Sequence, residues 1–178
     1  MSSAVEKTTK NSTNKSPVFK DGPGVTVKID IKAQPEDIWP YLIDINFPSK
    51  FSTEFQGAEW IDAGPKIGAK FQGYNKHDRI GEWDVTCHVV RYEENKAFGW
   101  VVGNPEVPAA QWYFELESLT TSTRLKFIMV LGPGPSGLTR AIESVPEKES
   151  RIIEKRQDEH SANMSLTLEG LKQLVENS

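Results

Sequence analysis

Three histidines and one cysteine are the residues with the clearest capacity for chemistry in this 178-residue chain. His77 sits in "YNKHDRIG", a hairpin-turn signature, where a solvated ring is expected; Asp78 and Arg79 beside it read as solvated turn residues or as guards of an opening. His88 lies in "EWDVTCHVVRY", on the opposite parity from Trp83, Val85, Cys87 and Val89, and should point to the outer face of a strand. His160 is different. It shares a helical stripe with Ile153, Gln157, Met164, Thr167, Leu171, Leu174 and Val175. A histidine there is either hydrogen-bonded at the edge of the core or a ligand contact and proton donor, the only good candidate for general acid–base work in the chain. The sequence holds no HExxH, no paired cysteines and no G-x-S-x-G. Its one literal G-x-G-x-x-G, Gly132 to Gly137, has prolines at two variable positions and no strand after the helix that follows. Proline lacks the N–H that a phosphate loop requires, so the segment reads as a stiff connection. No cofactor and no metal site are expected.

The second feature is aromatic. Trp60, Phe71, Trp83, Trp100, Trp112, Phe114 and Phe127 fall mostly on inward parities of their segments. Singly, each suits ordinary core packing. Together they would fill a core or line a cavity, where tryptophan also offers an N–H to orient a ligand. The candidate ligand-binding set is therefore Phe71, Trp83, Trp100, Trp112, Phe114, Phe127, Gln157, His160 and Met164, with His160 the only catalytic candidate.

Those residues must be positioned by a sheet and a helix. "VTVKIDIKA" alternates strictly, with Val25, Val27, Ile29 and Ile31 on one face. "AQPEDIWPYL" opens a helix with Pro35 in the first turn and acidic residues after it; Pro40 then keeps it short and bent, with Trp39 as its core anchor. "NFPSKFS" supplies a second short helical piece. Six strands follow between Phe55 and Leu131. Beyond "GPGPSG", a short helix over Leu138–Glu143 and a capping-box spacing at Ser144–Glu147 introduce a helix of roughly 30 residues, about 45 Å long. About seven antiparallel strands and one long amphipathic helix must bury their apolar faces on each other.

Composition bounds the rest. Residues 1–20 carry Lys7, Lys10, Lys15 and Lys20 against Glu6, so residues 1–21 read as a disordered tail and 22–178 as one domain. The whole chain has 21 basic and 25 acidic residues; outside the tail the balance is 17 to 24, a net of −7. An acidic body argues against nucleic-acid binding. No stretch is long and apolar enough for a signal peptide or a membrane span, and a lone Cys87 fits a reducing cytoplasm.

The arrangement resembles the superfamily of START domains, pollen-allergen-like ligand carriers and polyketide cyclase/dehydrase-like proteins. The likeness runs from about Val25 to Glu176. It is carried by "VKIDIKAQPEDIWPYLIDINFPSKF", by Gly68-Ala69-Lys70-Phe71-Gln72-Gly73, by Trp83–Tyr92, by the strand ending at Trp100, by "QWYFEL" and by "LEGLKQLVE". Phe51, where many relatives have tryptophan, and the proline-rich "GPGPSG" depart from the commonest pattern. The resemblance implies an α+β helix-grip fold: a curved antiparallel sheet around a long C-terminal helix, with two short helices after the first strand. It implies a hydrophobic small-molecule partner, lipid-like or polyketide-like, bound between sheet and helix. A cyclase or dehydratase using the same cavity is the alternative, and a protein-interaction module, resting on the basic tail, is a third reading. Enzyme against carrier, ligand identity and oligomeric state are left open by the sequence.

Overall fold

A computed structural model describes residues 3–8 and 16–178. Eight strands form one antiparallel sheet in the order β1-β2-β8-β7-β6-β5-β4-β3. They are β1 Ala4–Thr8, β2 Gly24–Ile31, β3 Phe55–Trp60, β4 Lys70–His77, β5 Gly81–Glu93, β6 Ala97–Val102, β7 Ala110–Ser118 and β8 Thr123–Leu131. The helices are α1 Pro35–Leu42, α2 Gly137–Ser144 and the 28-residue α3 Glu149–Glu176. The helix-grip architecture expected from the residue pattern is the one observed.

Alternation decides which face is inside. In β8, and in β2 from Val25 onward, the burial switches at every residue, and the two strands pair from Gly24–Val130 to Ile31–Thr123. Val25, Val27, Ile29, Leu125, Phe127 and Met129 therefore share one buried face, against which α3 lays Ile153, Met164, Leu168, Leu171 and Val175. Leu174, expected on that stripe, is exposed, and Leu168 is fully buried in its place.

One end of this interior is closed. Ile38, Trp39 and Leu42 of α1 and Phe47 of the following 3-10 turn enter the core. Trp39 meets Tyr92 edge-on at 5.5 Å, and Tyr92 meets Phe98 at 6.3 Å. Pro40 lies inside α1, which ends two residues later, as its missing donor suggests. The 3-10 segment reaches α3 through Gly170: a Cβ there would lie 2.3 Å from the Phe51 ring, so only glycine admits this contact without movement.

At the other end β5 outruns its neighbour. Gly81–His88 pair with β4, but pairing with β6 begins only at Cys87. The β4–β5 hairpin tip thus projects past β6. A register shift between Val89 and Arg91 keeps the second half of β5 in step with β6.

Two expectations are corrected. Residues 4–8 of the supposed disordered tail form edge strand β1, in register with β2 from Ala4–Lys28 to Thr8–Gly24; residues 1–2 and 9–15 of that tail lie outside the described residues. The strand gains backbone pairing while burying almost nothing, which is why its composition gave no sign of it. The capping box is not at Ser144, whose hydroxyl donates to the Arg140 carbonyl. It is at Ser136, whose side chain accepts from Leu138 N while Thr139 Oγ1 accepts from Ser136 N, and it starts α2. A 3-10 turn over Pro146–Lys148 then leads into α3 without a side-chain cap.

Candidate functional site

The N-terminal half of α3 brings its polar residues to the interior. Gln157, 2% exposed, donates from Nε2 to the carbonyl of Gly24 at 2.9 Å, fixing the helix to the start of β2. One turn on, His160 lies against Trp112, ring centroids 5.3 Å apart and planes at 81°. Met164 follows, buried among apolar neighbours. The three expected stripe residues therefore point inward in succession.

The aromatic wall opposite is continuous. Trp60 contacts Phe71 at 5.4 Å, Phe71 contacts Trp100 at 5.9 Å, and Trp100 lies nearly parallel to Trp112 at 6.4 Å and 11°. Trp112 meets Phe127 at 5.5 Å, and Phe127 stacks on Phe114 at 4.1 Å. Pairing explains the chain of rings: Trp100 is opposite Trp112, Phe114 opposite Phe127, and Trp112 opposite Met129. Phe71, Phe114 and Phe127 are buried, whereas Trp100 and Trp112 are half-buried although they face inward. Trp83 stands apart. It is half-buried on the projecting hairpin, opposite Asn75, and joins neither the ring chain nor the core cluster. Its parity was legible; its isolation follows from β5 outrunning β6.

His160 makes no hydrogen bond among the described residues, and burial, reinforced by the charge of Arg156, holds its imidazole well below the ordinary histidine value of 6.5. It is a neutral ring with one donor and one acceptor free.

Arg156, one turn before His160, centres a network that sequence reading missed. Its guanidinium donates to both oxygens of Glu54, at 2.8 and 2.5 Å, and to Glu159 at 3.0 Å. Burial alone would push Arg156 down, but the two carboxylates outweigh it and hold it above its usual value. His77, expected to be solvated, instead reaches Glu159 at 2.7 Å. Its Nδ1 accepts from the backbone N–H of Arg79 at 3.1 Å, so in the neutral ring Nε2 carries the proton and donates to Glu159. Arg79 stands 3.9 Å from the same carboxylate. The hairpin tip is thereby tied to α3, while the Arg79 side chain stays 63% exposed, as a solvated turn residue should. Ligand atoms of Glu54, His77 and Glu159 lie within 4.8 Å of one another, a spacing a cation would accept. The Arg156 guanidinium is bonded to both of those carboxylates, so the cluster is an ion-pair network already supplied with its cation. No single stretch of sequence joins Glu54, His77 and Arg156; the only signal was an arginine four residues before an inward histidine.

Two other polar features lie elsewhere. His88 is on the outer parity, as expected, with Nδ1 buried and without a hydrogen-bond partner among the described residues. A surface groove of about 560 Å³ at the α1 end is lined by Glu36, Arg91, Glu93 and Glu115 among others, with Arg91 paired to Glu93 and Glu115. None of the candidate ligand-binding residues lines it. No described helix is long and apolar enough to cross a membrane.

Comparison with known proteins places this geometry. Among solved structures, the chain is similar to the polyketide-cyclase-like protein Cgl2372 of Corynebacterium glutamicum, with 24% identity, a TM-score of 0.62, and 91% of this chain and 94% of that one covered. It is also similar to the di-domain ARO/CYC protein StfQ of the steffimycin biosynthetic pathway, at 12% identity and a TM-score of 0.67 over 86% of this chain and 50% of that one. The di-domain ARO/CYC protein BexL of the BE-7585A pathway gives 14% identity and a TM-score of 0.63, again over 86% and 50%. At these identities the likeness is one of fold. No curated protein matches the sequence. Residues 23–153, however, match the family described as polyketide cyclase/dehydrase and lipid transport, and that span, from the start of β2 into α3, holds the whole aromatic wall. The chain belongs to the polyketide cyclase/dehydrase and lipid transport family.

Proposed function

We propose that this protein binds a hydrophobic small molecule, lipid-like or polyketide-like, between the inner face of β5–β8 and the N-terminal half of α3. The observation that carries the reading is the pair Trp100 and Trp112. They are inward, nearly parallel and half-buried, beside a histidine with no described hydrogen-bond partner. Apolar surface with a few convergent polar groups is the usual design of a small-molecule site. Phe71, Phe114 and Phe127 would support the wall, Gln157 would hold α3 in place, and Met164 would bound the site towards the closed end. Trp83 would cover it from the hairpin. Residues 22–178 act as one domain in this reading, and the single cysteine suits a cytoplasmic setting.

Native mass spectrometry of freshly purified protein, repeated after organic extraction, tests the proposal. An added mass that disappears on extraction is expected, and its fragmentation identifies the ligand class. A clean apo mass, together with no response of tryptophan fluorescence to hydrophobic ligands, would overturn it.

His160 favours a second reading, a cyclase or dehydratase in the same site. A neutral imidazole facing the ligand is able to accept a proton. His160→Phe would then abolish turnover while sparing binding, and retained turnover would dismiss the assignment.

A further inference from the structure

The ion-pair network bears on what kind of molecule the site admits. Arg156 and Arg79 carry two positive charges, and Glu54 and Glu159 carry two negative ones, so the four contacting groups sum to zero. Arg156 and Glu54 have side chains only 16% and 11% exposed, so they are shielded from salt and water. His77 is satisfied on both nitrogens by Glu159 and Arg79. The remaining charged groups of the hairpin, Lys76, Asp78 and Glu82, are exposed, and Lys76 and Glu82 face each other at 4.0 Å. On α3, Lys155, Asp158 and Arg151 are exposed, and Asp158 is paired with Lys7. Inside, the polar groups near the ring wall are Gln157, bonded to Gly24, and His160. Among the described residues, the shielded cation Arg156 and the shielded carboxylate Glu54 are already paired with each other, and the other charges of the hairpin and of this part of α3 lie further out towards water. A charge entering this half-buried place would need a counter-charge that its shielded neighbours have already committed.

We propose that the ligand is an uncharged amphiphile whose hydroxyl or keto oxygen hydrogen-bonds His160, and that the Glu54–Arg156–Glu159–Arg79 network sets this preference by leaving no ionic partner free. This rests on the ligand-binding reading above and adds a charge class to it. An alcohol suits a neutral imidazole, which offers one donor and one acceptor. A carboxylate would meet only the imidazole N–H, and its charge would be balanced only by pulling Arg156 off Glu54.

The test uses three fluorescent probes that share one apolar body: 1-pyrenebutanol, 1-pyrenebutyrate and 1-pyrenebutylamine, titrated into the full chain at pH 7.5. The alcohol is expected to bind at least about tenfold more tightly than either ion. Equal or tighter binding of the butyrate or the amine overturns the charge inference and leaves the binding site standing. Failure of all three to bind overturns the site itself, and the inference with it. Glu159→Gln and Glu54→Gln serve as paired variants, so one that misfolds does not end the test. Each frees part of Arg156 and is expected to cut the alcohol-over-butyrate preference by about tenfold. An unchanged preference in a folded variant removes the network from the account. His160→Phe should weaken the alcohol and leave the ions where they were; equal weakening of all three would make His160 merely structural.

Discussion

The two halves of α3 pack against one sheet with opposite chemistry. From Met164 onward the helix buries Met164, Leu168, Leu171 and Val175 against a closed end plugged by Ile38, Trp39, Leu42 and Phe47. Before Met164 the inward positions are His160, Gln157 and Ile153, with Arg156 beside them, and the facing tryptophans stay half-buried. Apolar contacts are non-directional and sum with area, so the closed end tolerates no vacancy. Polar contacts are directional and each must be satisfied, so the other end is held by a few named bonds. Apolar packing is concentrated at one end of the helix and directional polar bonding at the other.

The contrast breaks most sharply at the closed end. Phe98→Ala, at a fully buried position, should cost about 3–5 kcal/mol in chemical denaturation, without altering the relative affinities of ligands. Next comes the boundary. Arg156→Met leaves Glu54 and Glu159 facing each other without their cation and should cost about 3 kcal/mol at neutral pH, the low end of the range for a broken buried pair because both partners retain some solvent. That loss should shrink when Glu54→Gln is already present; an unchanged loss would mean that Arg156 acts by packing alone. Gly170→Ala should cost about 1–3 kcal/mol, because its methyl group must displace Phe51. A stabilised variant would show that the 3-10 segment yields freely.

The smallest effects belong to the polar end and sharpen the comparison instead. The folded-state pKa of His160 lies below its unfolded value near 6.5. Below that value the unfolded chain binds a proton that the folded chain resists, so this residue's contribution to stability is present above pH 6.5 and is lost as the pH falls. Denaturation midpoints should decline on going from pH 7 towards 5, and His160→Phe should flatten that decline. An unchanged slope would assign it elsewhere. Lys7→Ala, which removes a solvated pair with Asp158, should cost about 0.5 kcal/mol or less.

What was legible in the sequence follows the same divide. Strand alternation at Val25–Ile31 and Leu125–Leu131 reports a two-residue period that the pleat enforces, so the sheet and its inner face could be read directly. His160 was visible because a helix stripe is also local. The partners of Arg156 were not: Glu54 precedes β3, His77 ends β4, and their meeting depends on how far the hairpin projects past β6. Ser144 has the spacing of a capping box but turns back to the Arg140 carbonyl, and the box forms at Ser136, which the spacing to Thr139 did not flag. Edge strand β1 is held by backbone pairing and a few exposed ion pairs, which leave little mark on composition.

The chain's one thiol, Cys87, is sealed inside β5, where burial pushes it up to about 12. At neutral pH almost none of it is thiolate, the form that alkylating reagents attack. The native protein is in effect cysteine-free to a labelling chemist. A cysteine placed at Ile80, on the exposed hairpin tip, would take a spectroscopic probe alone, turning the movement of that tip over α3 into a signal with no background to subtract.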